Sequence, residues 1–220
     1  MPPPQPIVDG HGPDATHPPG PAHERLAAAL RRVTNQLVLT AATPDQLTEA
    51  ADQVEAVADA LAPVTPEWAL AVPAFVPSRE PHGYFPFSPQ IGLANPLAPP
   101  LRVWVDDDDT VHGAVNVDAA YEGPPGCVHG GIIASLFDEI LGVANITAGV
   151  GAMTGTLTVV YRSPTPLKTD LVLAARMVGI EGRKVRAAGT IHAGDRLCAE
   201  AEGIFIMVDH DTFHLRRGER

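Results

Sequence analysis

The chain has 220 residues, 45% of them hydrophobic, and a formal net charge of −11; it is long enough to bury one substantial core and still carry extensions. That charge argues against nonspecific binding to nucleic acid or to an anionic membrane. The two cysteines, Cys127 and Cys198, show neither framework nor CxxC spacing, which fits a reducing compartment. No basic region followed by an apolar run opens the chain, so no secretory signal is read and a cytoplasmic location is expected.

Eight of the first 21 residues are proline. Residues 1–22 cannot bury enough surface to offset the entropy of ordering and read as a disordered tail, in which His11, His17 and His23 are too loosely spaced for a metal site. Over 23–62 a helical hairpin is expected. Leu26, Leu30, Val33 and Leu37 recur at helical spacing, and Thr43-Pro44-Asp45-Gln46 starts a second helix. There Thr43 is the N-cap, Pro44 the first helical residue, and Gln46 completes a capping box ahead of the stripe Leu47, Val54, Val57, Leu61.

Residues 63–100 hold ten prolines, interspersed with Trp68, Phe75, Tyr84, Phe85 and Phe87. The prolines prevent regular ladders while the rings need cover, so an irregular segment wrapping the domain surface is expected. From Leu101 the pattern turns to strands. Leu101–Val105 and Val111–Val117 flank Asp106–Asp109, which reads as a solvated hairpin turn rather than a metal site. Further strands are expected over Met153–Tyr161, Leu171–Ile180, Lys184–His192 and Leu197–Val208, with glycine turns at Gly182 and Gly194 making the sheet antiparallel. The residues beyond 209 read as a polar tail.

Between the second and third strands lies Gly123-Pro-Pro-Gly-Cys-Val-His-Gly-Gly131, followed by the apolar run Ile132–Ala148, broken by Asp138, Glu139 and Asn145. That run reads as a buried core helix rather than a membrane span. A helix apolar on nearly all faces must be surrounded. The fold class is therefore α+β, with one curved antiparallel sheet wrapped around a long central helix and a helical extension at the N-terminus.

Tyr121–Gly131, Asp138 within Phe-Asp-Glu, Met153-Thr154, Tyr161-Arg-Ser-Pro-Thr-Pro-Leu167 and Glu181-Gly-Arg-Lys184 together resemble the PaaI-type hotdog-fold acyl-CoA thioesterases, and most of all their THEM branch. The resemblance covers Leu101–Val208. It implies a thioesterase domain over 101–209 that hydrolyses acyl-CoA to free acid and CoA with no cofactor. It puts an oxyanion donor on the Gly130 or Gly131 N–H, an orienting role on His129, the acid on Asp138 and a water- or acid-positioning hydroxyl on Thr154. Arg183 and Lys184, with Arg162 as a weaker candidate, fall where the family contacts CoA. Where the bacterial PaaI branch has an Asn before its His-Gly-Gly, this chain has Glu122-Gly123-Pro124, so no side-chain Asn role carries over.

Elementary chemistry agrees in outline. A helix N-terminus offers free N–H groups and a positive dipole end to a developing oxyanion, and glycines allow close approach. Adjacent helical residues project about 100° apart, so one of Asp138 and Glu139 faces the site; periodicity leaves the choice open and the resemblance selects Asp138. Gly130 and Asp138 stand about 12 Å apart along one helix. One carbonyl is reached more readily by the turn of one copy and the acid of another, which predicts an obligate homodimer with shared sites, or a dimer of dimers. Cys127 has no orienting acid in view and no GxSxG elbow occurs, so a nucleophilic Cys or Ser is disfavoured. Between Arg162 and Arg196 seven basic residues face three acids, a local excess suited to a phosphorylated ligand. Two rival readings are a hydratase or dehydratase on the same fold, and a noncatalytic acyl-CoA-binding regulator.

Overall fold

The computed structural model describes residues 19–62 and 81–207. The expectations for residues 1–18, 63–80 and 208–220, including most of the two tails, lie outside the described residues. The chain divides into two compact units. Helix α2 (Pro44–Leu61) falls in one; helix α1 (Pro21–Leu39) and the described residues from 81 onward fall in the other.

Helix α2 starts as its sequence requires. Thr43 Oγ1 accepts the Gln46 N–H at 3.4 Å and Gln46 Oε1 accepts the Thr43 N–H at 2.9 Å, with Pro44 opening the helix. No α2 residue is buried. In the other unit, α1 buries Ala27. Arg31 Nη1 donates to the Asn95 carbonyl at 2.8 Å, and Asn35 Oδ1 accepts the Ala120 N–H at 3.1 Å. The described part of the proline-rich stretch forms the short helix α3 (Pro81–Tyr84) and a run of turns that buries Ile91 and Ala98 and packs Phe85 on the core. His82 stitches it down, with Nε2 accepting the Val103 N–H at 2.8 Å.

Among the described residues six strands follow: β1 (Arg102–Val105), β2 (Val111–Val115), β3 (Ala152–Tyr161), β4 (Leu171–Glu181), β5 (Lys184–Ala193) and β6 (Arg196–Met207). They form one antiparallel sheet in the order β1-β2-β4-β5-β6-β3, with helix α4 (Gly130–Thr147) between β2 and β3 in sequence. The four aspartates make the β1–β2 turn, where Asp109 takes φ 62° and the Asp108 carboxylate accepts the Thr110 N–H at 3.1 Å. Those Thr110 bonds hold the Asp108 carboxyl below its usual range.

The sheet curls around α4, which buries Ile133, Leu136, Phe137, Ile140, Leu141, Val143, Ala144 and Asn145. The apolar run is thus a wrapped core helix. Gly189 and Gly203 let two strands approach it. A Cβ on Gly189 would meet the Ala174 carbonyl oxygen at 2.8 Å, and one on Gly203 would meet the Phe205 ring at 2.4 Å, with Leu141 methyls just beyond both. Leu141 fills the space these glycines leave and is fully buried. Leu141→Ala should lower the unfolding free energy by about 2–5 kcal/mol in urea denaturation with an unchanged m-value.

Among the described residues, strand β3 lies at the sheet edge and pairs with β6 alone. Its register slips between Thr154 and Thr156, leaving Gly155 as an extra residue. A bulge of this kind shifts the alternation of side chains by one. Leu157 and Val159 pack toward the core beyond it, and Ala152 does so before it.

Candidate active site

The turn that opens α4 is tied down along its whole length. Gly126 takes φ +74°, which favours glycine, and its N–H meets Glu122 Oε1 at 2.6 Å. The Gly123 N–H reaches the Cys127 carbonyl at 2.9 Å, Val128 N–H the Thr165 carbonyl at 2.8 Å, and Leu167 N–H the Gly126 carbonyl at 3.0 Å. The Tyr-Arg-Ser-Pro-Thr-Pro-Leu run therefore backs this turn. Glu122 thus has a role in the turn that no sequence pattern marks.

His129 is the N-cap, at φ −60° and ψ 134°. Its Nδ1 accepts the Gly131 N–H at 2.9 Å, so the neutral ring carries its proton on Nε2. Its own carbonyl accepts from Ile132 at 2.9 Å and from Ile133 at 3.2 Å. Of the two glycine donors proposed from sequence, Gly131 is therefore engaged by His129. The Gly130 N–H has no partner among the described residues, and it stands at the positive end of the helix dipole. The Tyr161 hydroxyl donates to the Gly130 carbonyl at 2.9 Å.

Asp138 lies on the same helix, exposed, with the Thr154 hydroxyl donating to its Oδ1 at 2.7 Å. Thr154 sits just before the bulge in β3. The Asp138–Thr154 pair expected from the resemblance thus exists within one chain. Glu139 differs from its neighbour. Burial pushes its carboxyl above the ordinary range, the nearby Asp138 charge adds to that, and a Ser88 hydroxyl from the wrapping segment partly offsets it. Ser88 also accepts the N–H groups of Gln90 at 3.1 Å and Ile91 at 3.2 Å, so it organises the turn that covers Glu139.

The basic candidates lie apart from this pair. Arg162 is engaged by Glu200 through Nε at 3.0 Å and through a second, shorter contact from Nη2. Lys168 meets Asp118 at 3.3 Å. Arg183, whose Nη2 donates to the Met207 carbonyl at 3.0 Å, and Lys184 flank the β4–β5 turn. Lys184 aligns with Ile206 and Met153, one row from Val185, Phe205 and Thr154. It sits two strands, about 10 Å, from β3, and alternation turns it to the outer face of the sheet. One chain does not bring Arg183 and Lys184 together with Asp138. Among the described residues no group of three His, Cys, Asp or Glu side chains is arranged to hold a metal ion.

The family model of the thioesterase superfamily matches residues 125–201, from the turn before α4 into β6. A crystallised thioesterase superfamily protein is 35% identical, covering 86% of this chain and 92% of its own, with a TM-score of 0.75. The chain belongs to the thioesterase superfamily. The antiparallel sheet closed on α4 is the superfamily's hotdog fold. Within the superfamily the chain is related to the THEM branch. It is 41% identical over 90 residues to the acyl-coenzyme A thioesterase THEM4 of Mus musculus, and 40% identical over 89 residues to that of Xenopus laevis. The matches cover 40% of this chain in both cases, and 39% and 40% of those proteins, so the chain spans about two fifths of the length of the curated relatives it matches.

The Glu139 environment predicts a pH signature for this thioesterase-superfamily chain. A carboxyl whose folded pKa is raised binds its proton more tightly when folded. It therefore lowers stability as pH rises from its unfolded value of about 4.3 through the raised folded value. Glu139→Gln, which keeps an acceptor for Ser88, should melt higher than wild type at neutral pH, with the difference vanishing below about pH 4. Thermal melts across that range read it directly.

Proposed function

We propose that the protein hydrolyses acyl-CoA thioesters to a free acid and coenzyme A, at a site completed by two copies of the chain. The observation that carries this reading is the pairing of an exposed, hydroxyl-anchored carboxylate, Asp138, with a free N–H at Gly130 on the same helix. The names of the THEM4 relatives support the substrate class.

In the proposed reaction Asp138 takes a proton from water as the hydroxide oxygen bonds to the thioester carbon. The carbonyl π pair moves onto oxygen, where the Gly130 N–H stabilises it without reorganisation. Collapse re-forms the C=O bond and breaks C–S. The thiolate leaves as CoA, and the proton held on Asp138 returns to sulfur or solvent. Thr154 fixes the Asp138 rotamer, and His129 holds the loop by fixing the peptide after Gly130. Carboxylate, water and backbone N–H suffice for these steps.

Eight residues of helix separate Gly130 from Asp138, about 12 Å. No single carbonyl carbon lies within reach of both groups of one chain. Two copies related by a twofold axis bring the turn of one to the acid of the other. The exposed ten-residue edge strand β3, carrying Met153, Val160 and Tyr161, supports an edge that a second copy covers. Arg183 and Lys184 are the CoA phosphate contacts in this reading, with Arg162 less available because Glu200 holds it.

Asp138→Asn should cut thiol release from acyl-CoA by at least about a hundredfold while leaving the melting temperature near wild type. Gly130→Pro removes the N–H in question at a backbone that admits proline, being the first helical position after an extended His129, and sets its ring carbons against the Tyr161 hydroxyl. It should cost about a hundredfold to a thousandfold in kcat. Both are read in a panel of acyl-CoAs by following free thiol. Enoyl absorbance change without thiol would instead indicate a hydratase, and tight binding with neither a noncatalytic binder. Sedimentation should give a dimer or a dimer of dimers; a fully active monomer would contradict the shared site.

A further inference from the structure

We infer that Tyr161 is a positioning residue for the carbonyl-binding turn, acting by fixing the peptide that follows Gly130. The inference rests on the thioesterase reading of this site.

A glycine at the mouth of an oxyanion site has a cost as well as a use. It admits the substrate, but its backbone samples more directions than any other residue. A donor that must meet a developing charge without reorganising needs its peptide held from both sides. Upstream of the Gly130 Cα, the His129 carbonyl is held by the Ile132 and Ile133 N–H groups at 2.9 and 3.2 Å. Downstream, the peptide joining Gly130 to Gly131 is held at both of its ends. Its N–H donates to His129 Nδ1 at 2.9 Å, and its carbonyl accepts the Tyr161 hydroxyl at 2.9 Å. With those bonds in place, the one group left free is the Gly130 N–H.

The ring of Tyr161 adds a second restraint. A Cβ built on Gly130 would find Tyr161 Oη at 3.3 Å and Cζ at 3.5 Å, so the ring lies directly against that side of the glycine. Tyr161 is nonetheless 53% exposed, and no core packing depends on it.

Its position in β3 is also informative. Thr154 and Tyr161 are seven residues apart, and in a regular strand an odd separation would turn them to opposite faces. The extra residue Gly155 restores them to the same face, so that one strand contacts Asp138 near its start and Gly130 at its end. The bulge is what allows both contacts.

Tyr161→Phe keeps the ring and deletes the one hydroxyl bond. Steady-state hydrolysis of an acyl-CoA that the wild type turns over should show kcat reduced about fivefold to tenfold, the size expected for one lost hydrogen bond. KM should stay within twofold and the melting temperature should be unchanged. A kcat within twofold of wild type, a loss seen in KM alone, or a loss that tracks a lowered melting temperature would overturn the inference. A double-mutant cycle adds a readout that a merely structural tyrosine would not move. Because His129 and Tyr161 hold opposite ends of one peptide, His129→Ala with Tyr161→Phe should lose little more than the worse single variant; effects that simply multiply would overturn it. Asp138→Asn is assayed beside them. If that variant is inactive while Tyr161→Phe is unimpaired, the role of Tyr161 fails alone; if Asp138→Asn is fully active, the site reading fails and this inference with it.

Discussion

The arrangement of the site depends on how α4 lies against β3. The helix is placed by burial: its apolar residues fill the curl of the sheet, and Leu141 packs against the bare faces of Gly189 and Gly203. Burial alone is non-directional and would tolerate a helix rotated or slid by part of a turn. Two directional bonds to the edge strand fix what burial leaves loose. Thr154 to Asp138 sets the middle of the helix, and Tyr161 to Gly130 sets its N-terminus. The bulge at Gly155 lets one strand make both.

The neighbouring carboxylates Asp138 and Glu139 sit in different surroundings on one helix. Asp138 is solvent-facing and accepts the Thr154 hydroxyl. Glu139 is turned beneath the Ser88 turn, where burial disfavours its ionised form. The two adjacent acids thus differ in exposure, Asp138 being exposed and Glu139 half-buried beside Ser88. The cationic stretch divides similarly. Arg162 and Lys168 are held by carboxylates of the same chain, whereas Arg183 and Lys184 flank a turn with no ion-pair partner among the described residues.

Much of the fold was legible in the sequence. The capping box at Thr43, the four-aspartate turn, the glycine turns at Gly182 and Gly194, and the apolar run of α4 all carry local rules that the structure obeys. The Asp138–Thr154 pair was reached only through a resemblance, because nothing in periodicity brings two residues sixteen apart together. Tyr161 lies in a sequence motif that assigns it no role, and alternation is the reason. Counted from Thr154 it should face away, and only the unpaired Gly155, which no pattern in the sequence marks, turns it inward. Glu139 is equally opaque, since its environment is made by burial and by Ser88, fifty-one residues away in a proline-rich stretch. The choice between Gly130 and Gly131 needed coordinates too, because it depends on where one imidazole nitrogen points.

If the acid and the oxyanion donor come from different copies, mixing subunits restores activity to a pair of inactive variants. Asp138→Asn and Gly130→Pro are each inactive on this account. A hybrid dimer of the two has one site carrying both lesions and one carrying neither. After subunit exchange at equal concentrations, half the dimers are hybrids, so thiol release should recover to about a quarter of the wild-type rate. If exchange is demonstrated and the mixture stays as inactive as its parents, each site is confined to one chain and the account is wrong.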